Sequence, residues 1–116
     1  MSVRNVTMAD GDRPATTSVT TLYTVPSTAL GARITQFSCR NSHASAQTYK
    51  VYIIPNGGSA DDTNQIVDVT TLLSGYTDTP VEPINYFMQP GDFIQVQNSA
   101  NDSITFFAAG IEFYNS

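Results

Sequence analysis

From Thr16 onward the chain is a succession of short runs of β-branched and aromatic residues, each bounded by Gly, Pro, Asn or Asp, and no window carries a 3.6-residue apolar period. Without that period the chain has no amphipathic helix to bury, and it must form strands joined by turns. The runs predict strands at residues 18–25, 32–41, 48–55, 65–73, 84–88, 92–97 and 103–114. About seven to eight strands in roughly 100 residues predict an all-β protein, an antiparallel β-sandwich or jelly roll.

Turn chemistry punctuates the runs. Gln89-Pro90-Gly91-Asp92 is the best turn signal, because Pro presets φ at the second position and Gly supplies the positive φ that a type II turn needs at the third. Residues 41–47 are small and polar and predict a hairpin loop, and residues 55–62 hold no apolar anchor and predict an exposed one. In the second run Ile34 has even parity while Phe37 and Cys39 have odd parity, so strict alternation would send them to opposite faces. One extra residue near Thr35-Gln36 repairs this and predicts a β-bulge. In the third run Tyr49, Val51 and Ile53 share one face, and Lys50 marks the face it shares with Tyr52 and Ile54 as the wetter one.

The last run, residues 104–114, is apolar on both faces, although a two-layer protein needs only one apolar face per strand. Phe107, Ala109, Ile111 and Phe113 make the odd face bulky, which assigns it to the core. The flatter face of Ile104, Phe106, Ala108, Gly110 and Tyr114 is then the expected contact with another subunit. Residues 1–15, with Asp10-Gly11-Asp12-Arg13-Pro14 and almost no periodicity, predict an extended N-terminal arm outside a single domain of residues 16–116. The arm is the rival cover for that face.

Only 13% of residues are charged, about half the usual share, so the surface is polar but sparsely ionised. Ten Asp and Glu oppose five Lys and Arg, a net charge of -5, and the basic residues form no cluster. Direct nucleic-acid binding is therefore not expected. One cysteine, Cys39, excludes an intrachain disulfide. The start of the chain lacks the apolar stretch of a secretion signal and no run approaches a membrane span, so synthesis in the cytoplasm and no membrane partner are expected. Without a secretion signal, the sequons at Asn5 and Asn101 are chance matches.

No constellation of reactive residues emerges. Cys39 and His43 are four apart, but Cys39 falls on a core-facing strand position and His43 in the following loop. One His and one Cys do not make a zinc site. Asp61, Asp62 and Asp68 lack the spacing of a calcium loop. Asp92, Asp102 and Glu112 lie at or near turns and strand ends, a poor basis for paired-carboxylate chemistry. Gly57-Gly58 is followed by neither a helix nor Lys-Ser/Thr, so it is a turn. Tyr49, Tyr52, Tyr76, Tyr86, Phe87 and Phe93 could form a carbohydrate platform, of which half should be core. No catalytic, cofactor or metal residues are assigned, and no cofactor is expected.

Taken in order, Leu22-Tyr-Thr-Val-Pro26, Arg33-Ile-Thr-Gln-Phe-Ser-Cys-Arg-Asn41, Tyr49-Lys-Val-Tyr-Ile-Ile-Pro-Asn-Gly-Gly-Ser-Ala60 and Met88-Gln-Pro-Gly-Asp-Phe-Ile-Gln95 resemble a known pattern. It is that of the small β-sandwich proteins encoded among the virion structural genes of tailed bacteriophages. The resemblance covers roughly residues 20–114 and leaves out the arm. It implies a non-enzymatic virion structural protein, in first place a capsid decoration or cement protein on the outer surface of the head. Such a protein would stabilise the head by bridging major capsid subunits. The alternative it implies is a tail or fibre accessory protein that contacts the host surface, through loops 56–63 and 74–79 and with glycans as one target. On the first reading the protein is a homo-oligomer joined through the flatter face of the last strand, and Val3, Arg4, Val6, Met8 and Arg13 of the arm touch the major capsid protein.

Overall fold

The structure, a computed structural model, describes residues 1–115. It contains nine strands: β1 (Ser2–Asp12), β2 (Thr20–Thr24), β3 (Gly31–Asn41), β4 (Gln47–Ile54), β5 (Gln65–Leu72), β6 (Thr77–Asp78), β7 (Phe87–Met88), β8 (Phe93–Asn98) and β9 (Ile104–Tyr114). They form two antiparallel sheets packed as a sandwich, and no helix occurs among the described residues. The five-stranded sheet runs β1-β9-β3, with β6 and β7 both on the far side of β3; the four-stranded sheet runs β2-β8-β4-β5. β1, β9 and β3 are 11 residues each and lie side by side, which draws the molecule out to 48 × 25 × 22 Å.

The core lies between the sheets. Ile34, Phe37 and Cys39 of β3 and Ile104, Phe106 and Ala108 of β9 face Tyr49, Val51 and Ile53 of β4 and Ile94 and Val96 of β8. Phe106 is the hub, tilted against Phe37 at 6.1 Å and edge-on to Tyr49 at 5.8 Å, separations at which aromatic pairs attract beyond their area burial. The irregularity in β3 is where the parity change requires it, between Ile34 and Gln36 in the pairing with β9. That extra residue lets Ile34, Phe37 and Cys39 all point inward. The turn before β8 also forms as expected, with Gly91 at φ +86° and the Asp92 amide donating to the Gln89 carbonyl at 3.0 Å. The Asp92 carboxylate then accepts from the amides of Gln89 and Asn56, tying this turn to the loop after β4.

Three expectations are corrected. Residues 1–15 are not an arm outside the domain: Ser2–Asp12 form β1, paired along its length with β9 from Ser2–Tyr114 to Asp12–Phe106. Periodicity is weak there because two irregularities, at Met8 and Gly11, break the alternation. Thr77–Asp78 add a short strand, and the run at 84–88 narrows to Phe87–Met88, since Asn85 at φ +68° belongs to a turn. Finally, Tyr52 and Ile54 are buried although they share the face of Lys50. The Tyr52 hydroxyl donates to Gln97, and Gly58 and Pro55 of the folded-back loop cover Ile54.

Candidate assembly surface

The last strand divides its two apolar faces in the opposite sense to the expected one. Ile104, Phe106 and Ala108 are buried within the domain and so is Gly110, so they cannot be a subunit contact; Tyr114 is half-buried. The even face is flat because its hollow is filled from neighbouring strands. Phe37 of β3 pairs beside Ala108, and the side chain of Met8 from β1 lies against Gly110. The bulky odd residues face away from the core, and Phe107 is 45% exposed. This outer face of the five-stranded sheet is the candidate assembly surface.

Its geometry follows from strand register. Val3 pairs with Phe113, Asn5 with Ile111, Thr7 with Ala109 and Asp10 with Phe107 across β1–β9. On the other side Arg33 pairs with Ile111 and Ser38 with Phe107. At one end the Phe87 and Phe113 rings meet at 6.0 Å, and the Arg33 guanidinium lies 5.9 Å from the Phe113 ring centre. Phe87 is 47% and Val3 61% exposed. The Arg33 Nε is out of contact with solvent and has no hydrogen-bond partner. Between this aromatic end and Phe107, small Ala109 leaves a depression of about 180 Å³ bordered by Thr7, Gln36 and Ser38. Apolar knobs, a hollow and a polar border are the anatomy of a protein-binding patch.

The arm residues scatter. Met8 is core and Val6 packs against it, whereas Val3, Arg4 and Arg13 are exposed. The Arg4 guanidinium lies over the Tyr114 ring at 4.8 Å, and Arg13 donates to the Ser42 hydroxyl at 3.5 Å. Opposite Arg4 in the register stands Glu112, which the sequence places near a strand end without showing its burial or its partners. Glu112 is buried and accepts hydrogen bonds from the hydroxyls of Tyr23 and Tyr114. Burial, and then the adjacent Glu112 carboxylate, hold the Tyr23 phenol well above its usual range. Alternation along β9 puts Glu112 on the inward face and was its one available signal.

The other candidates are parts of the framework. Cys39 lies in the core beside Tyr49, and burial pushes its thiol up to about 12. His43 is in the loop after β3, bonded to Ser45 and Gln47. Asp61 accepts from the Thr63 amide and hydroxyl, which holds its carboxyl below the usual range, while Asp68 stands opposite Lys50 in the β4–β5 register. No group of three or more His, Cys, Asp or Glu that could hold a metal ion occurs among the described residues. Of the aromatic candidates, Tyr49 and Tyr52 are buried; Tyr86 and Phe87 border an open depression of about 290 Å³ with Thr63 and Asn64.

No protein-family model matches the chain, and no curated protein matches its sequence. Solved structures do match its fold. A mutant VP2 protein of infectious bursal disease virus, in derived T=1 particles, superposes with a TM-score of 0.55 at 16% identity over 97% of this chain and 32% of that one. A crystal structure of the virus particle gives a TM-score of 0.53 at 14% identity over 97% and 31%, and the Gx strain gives 0.51 at 16% identity over 99% and 32%. The chain thus spans about a third of the length of the viral chains it matches. At this identity the likeness is one of fold, and the chain is an antiparallel β-sandwich of the kind contained in those particle-forming proteins.

Proposed function

We propose that this chain is a non-enzymatic structural protein of a virion, a decoration or cement protein that sits on the outer surface of a phage head and bridges its major capsid subunits. The outer face of the five-stranded sheet carries the reading: exposed Phe107 and Phe87 and half-buried Ile111 and Phe113 form an apolar surface that the domain itself covers only in part. Knobs of this size release free energy when a partner removes them from water, at about 25 cal/mol per Å² of apolar area. A clamp that binds only the assembled lattice stabilises that lattice by mass action. The fold likeness to particle-forming viral proteins supports the same reading. In place of a projecting arm, the contact with the major capsid protein falls to this face and to the exposed Val3 and Arg4 at its border.

The test is copy number on purified intact particles. A decoration protein copurifies at a stoichiometry comparable to the major capsid protein. A few copies per particle point to the second reading, a tail or fibre component that touches the host surface. The depression bordered by Tyr86, Phe87, Thr63 and Asn64 favours that alternative, since aromatic rings beside amide and hydroxyl groups suit a sugar. Binding of the isolated protein to a glycan array would establish it over the shell clamp.

A further inference from the structure

The asparagines of this chain differ in what the next residue's backbone amide does. After Asn41, Asn85, Asn98 and Asn101 that amide is engaged: Ser42 donates to Ser103, Tyr86 to Pro83, Ser99 to Thr48 and Asp102 to Pro14, each to a backbone carbonyl. Asn5 and Asn64 are followed by strand residues with large side chains, Val6 of β1 and Gln65 of β5. Asn56 is followed by Gly57.

The Gly58 amide donates to the Pro55 carbonyl at 2.8 Å and closes a turn around Asn56 and Gly57, with Gly57 at φ +82°. The closing bond leaves the Gly57 amide out, and it makes no hydrogen bond among the described residues. A β-carbon on Gly57 would meet nothing within 4 Å, so the nitrogen lies open to water. Asn56 is exposed, and its side-chain amide is likewise unbonded. An amide nitrogen can attack the side-chain carbonyl carbon of the asparagine before it and close a five-membered ring, one source of the thermolability of asparagine. Here the nucleophile is free, the target is free, and no side chain on the second residue shields either.

We infer that Asn56–Gly57 is a self-modifying site of the folded chain, at which the Gly57 nitrogen displaces ammonia from the Asn56 side chain. A base in solution takes the Gly57 amide proton, the bond from that nitrogen to Cγ forms, and the Cγ–Nδ2 bond breaks, the nitrogen leaving as ammonia with a proton from water. Water then opens the cyclic imide. Attack at Cγ breaks the new bond and leaves aspartate. Attack at the main-chain carbonyl carbon of residue 56 breaks the original peptide bond and leaves isoaspartate, with the chain running through the former side chain. One water is consumed, one ammonia is released, and nothing is oxidised or reduced.

The position gives the change a consequence. The Asn56 amide donates to the Asp92 carboxylate at 3.0 Å, and a β-carbon on Gly91 would stand 2.5 Å from the Asn56 Cγ, so the loop after β4 is packed on the turn before β8. A carboxylate formed at 56 adds a second negative charge beside Asp92, and isoaspartate lengthens the main chain by one carbon where Asp92 holds it. Conversion loosens the loop from the turn, and with them the border that Pro55 and Asp92 give the depression beside Tyr86 and Phe87. This goes beyond the virion reading and does not rest on it.

The test incubates the purified full chain in mildly alkaline buffer, folded and in urea, and follows the acid gained at each asparagine by peptide mapping, with isoaspartate detected by enzymatic methylation. In the folded chain Asn56 should convert first, about tenfold ahead of Asn41, Asn85, Asn98 and Asn101, whose neighbouring amides must first leave a hydrogen bond. Urea should narrow that lead by speeding those four. The aged protein should unfold at lower urea than the fresh one. Asn56→Gln, whose longer side chain would have to close a six-membered ring, should age without that loss, with circular dichroism confirming its strands. An Asn56 that stays intact in the folded chain while it converts in urea, earlier conversion at any of the four, a lead that urea leaves unchanged, or an aged protein as stable as the fresh one overturns the inference.

Discussion

Met8 of β1 occupies the space that Gly110 of β9 leaves open. A β-carbon on Gly110 would collide with the Met8 terminal methyl and with the Arg33 carbonyl oxygen of β3. The methyl can move, but the carbonyl belongs to a central strand and cannot. Gly110→Val should therefore cost about 3 kcal/mol by overpacking. Met8→Ala should cost a similar amount, about 2–4 kcal/mol, by opening a cavity. Urea denaturation measures both, and a Gly110→Val protein as stable as wild type would contradict the packing described here.

Phe107 separates folding from attachment. Its ring projects from the outer face at 45% exposure, so Phe107→Asp should change stability by about 1 kcal/mol or less. The same change puts a charge within the proposed contact and should abolish cosedimentation with particles. Full occupancy by this variant would remove the face from the assembly role.

Glu112 and its two tyrosines act as a unit. Glu112→Ala leaves the Tyr23 and Tyr114 hydroxyls without their shared acceptor and should cost about 2–4 kcal/mol, whereas Tyr23→Phe should cost about 1–2 kcal/mol. A double-mutant cycle should show the two losses to be far from additive. Simple additivity would mean that the hydroxyl and the carboxylate contribute independently.

Alkaline pH should unfold the protein earlier than its surface charge implies. The Cys39 thiol rises from 9.0 to about 12 on burial, and the Tyr49 phenol is also raised, first by burial and then by its bond to Asp78. The unfolded chain then releases these protons at lower pH than the folded one. Their contribution to stability is whole below pH 9.0 and drains away as pH climbs toward 12. Cys39→Ala should flatten the first part of that decline in urea midpoints. An unchanged slope between pH 9 and 10.5 in the variant, in a protein that still folds, would assign the decline to other groups.

How much of this was legible in the sequence depends on where alternation survives. The strands around Ile34, Val51, Val67, Ile94 and Phe106 are written in β-branched and aromatic runs, and the parity slip from Ile34 to Phe37 placed a bulge correctly. β1 was not legible, because its irregularities at Met8 and Gly11 erase the period-2 signal and its exposed residues are mostly polar. The face of β9 was misassigned for the same cause. Residue size on one strand says which side is bulky; which side is core depends on the partner that fills the hollow, and that partner was Met8 of the unrecognised strand. Glu112 was taken for a group near a strand end because a lone carboxylate does not announce the two tyrosines that bury with it, 89 residues before it and two after.

The pairing of Ser2 with Tyr114 has a further consequence, for how the molecule is made. β1 is synthesised before β9, its partner in the sheet, so it waits without that partner until β9 has been translated. Residues 13–103 separate the two strands, and such distant pairings form slowly because loop closure precedes any reward. During that wait β1 exposes both edges instead of one, and in a cell producing many copies it has other nascent β1 strands within reach. The exposed polar residues of this strand and its two bulges keep it soluble until β9 arrives.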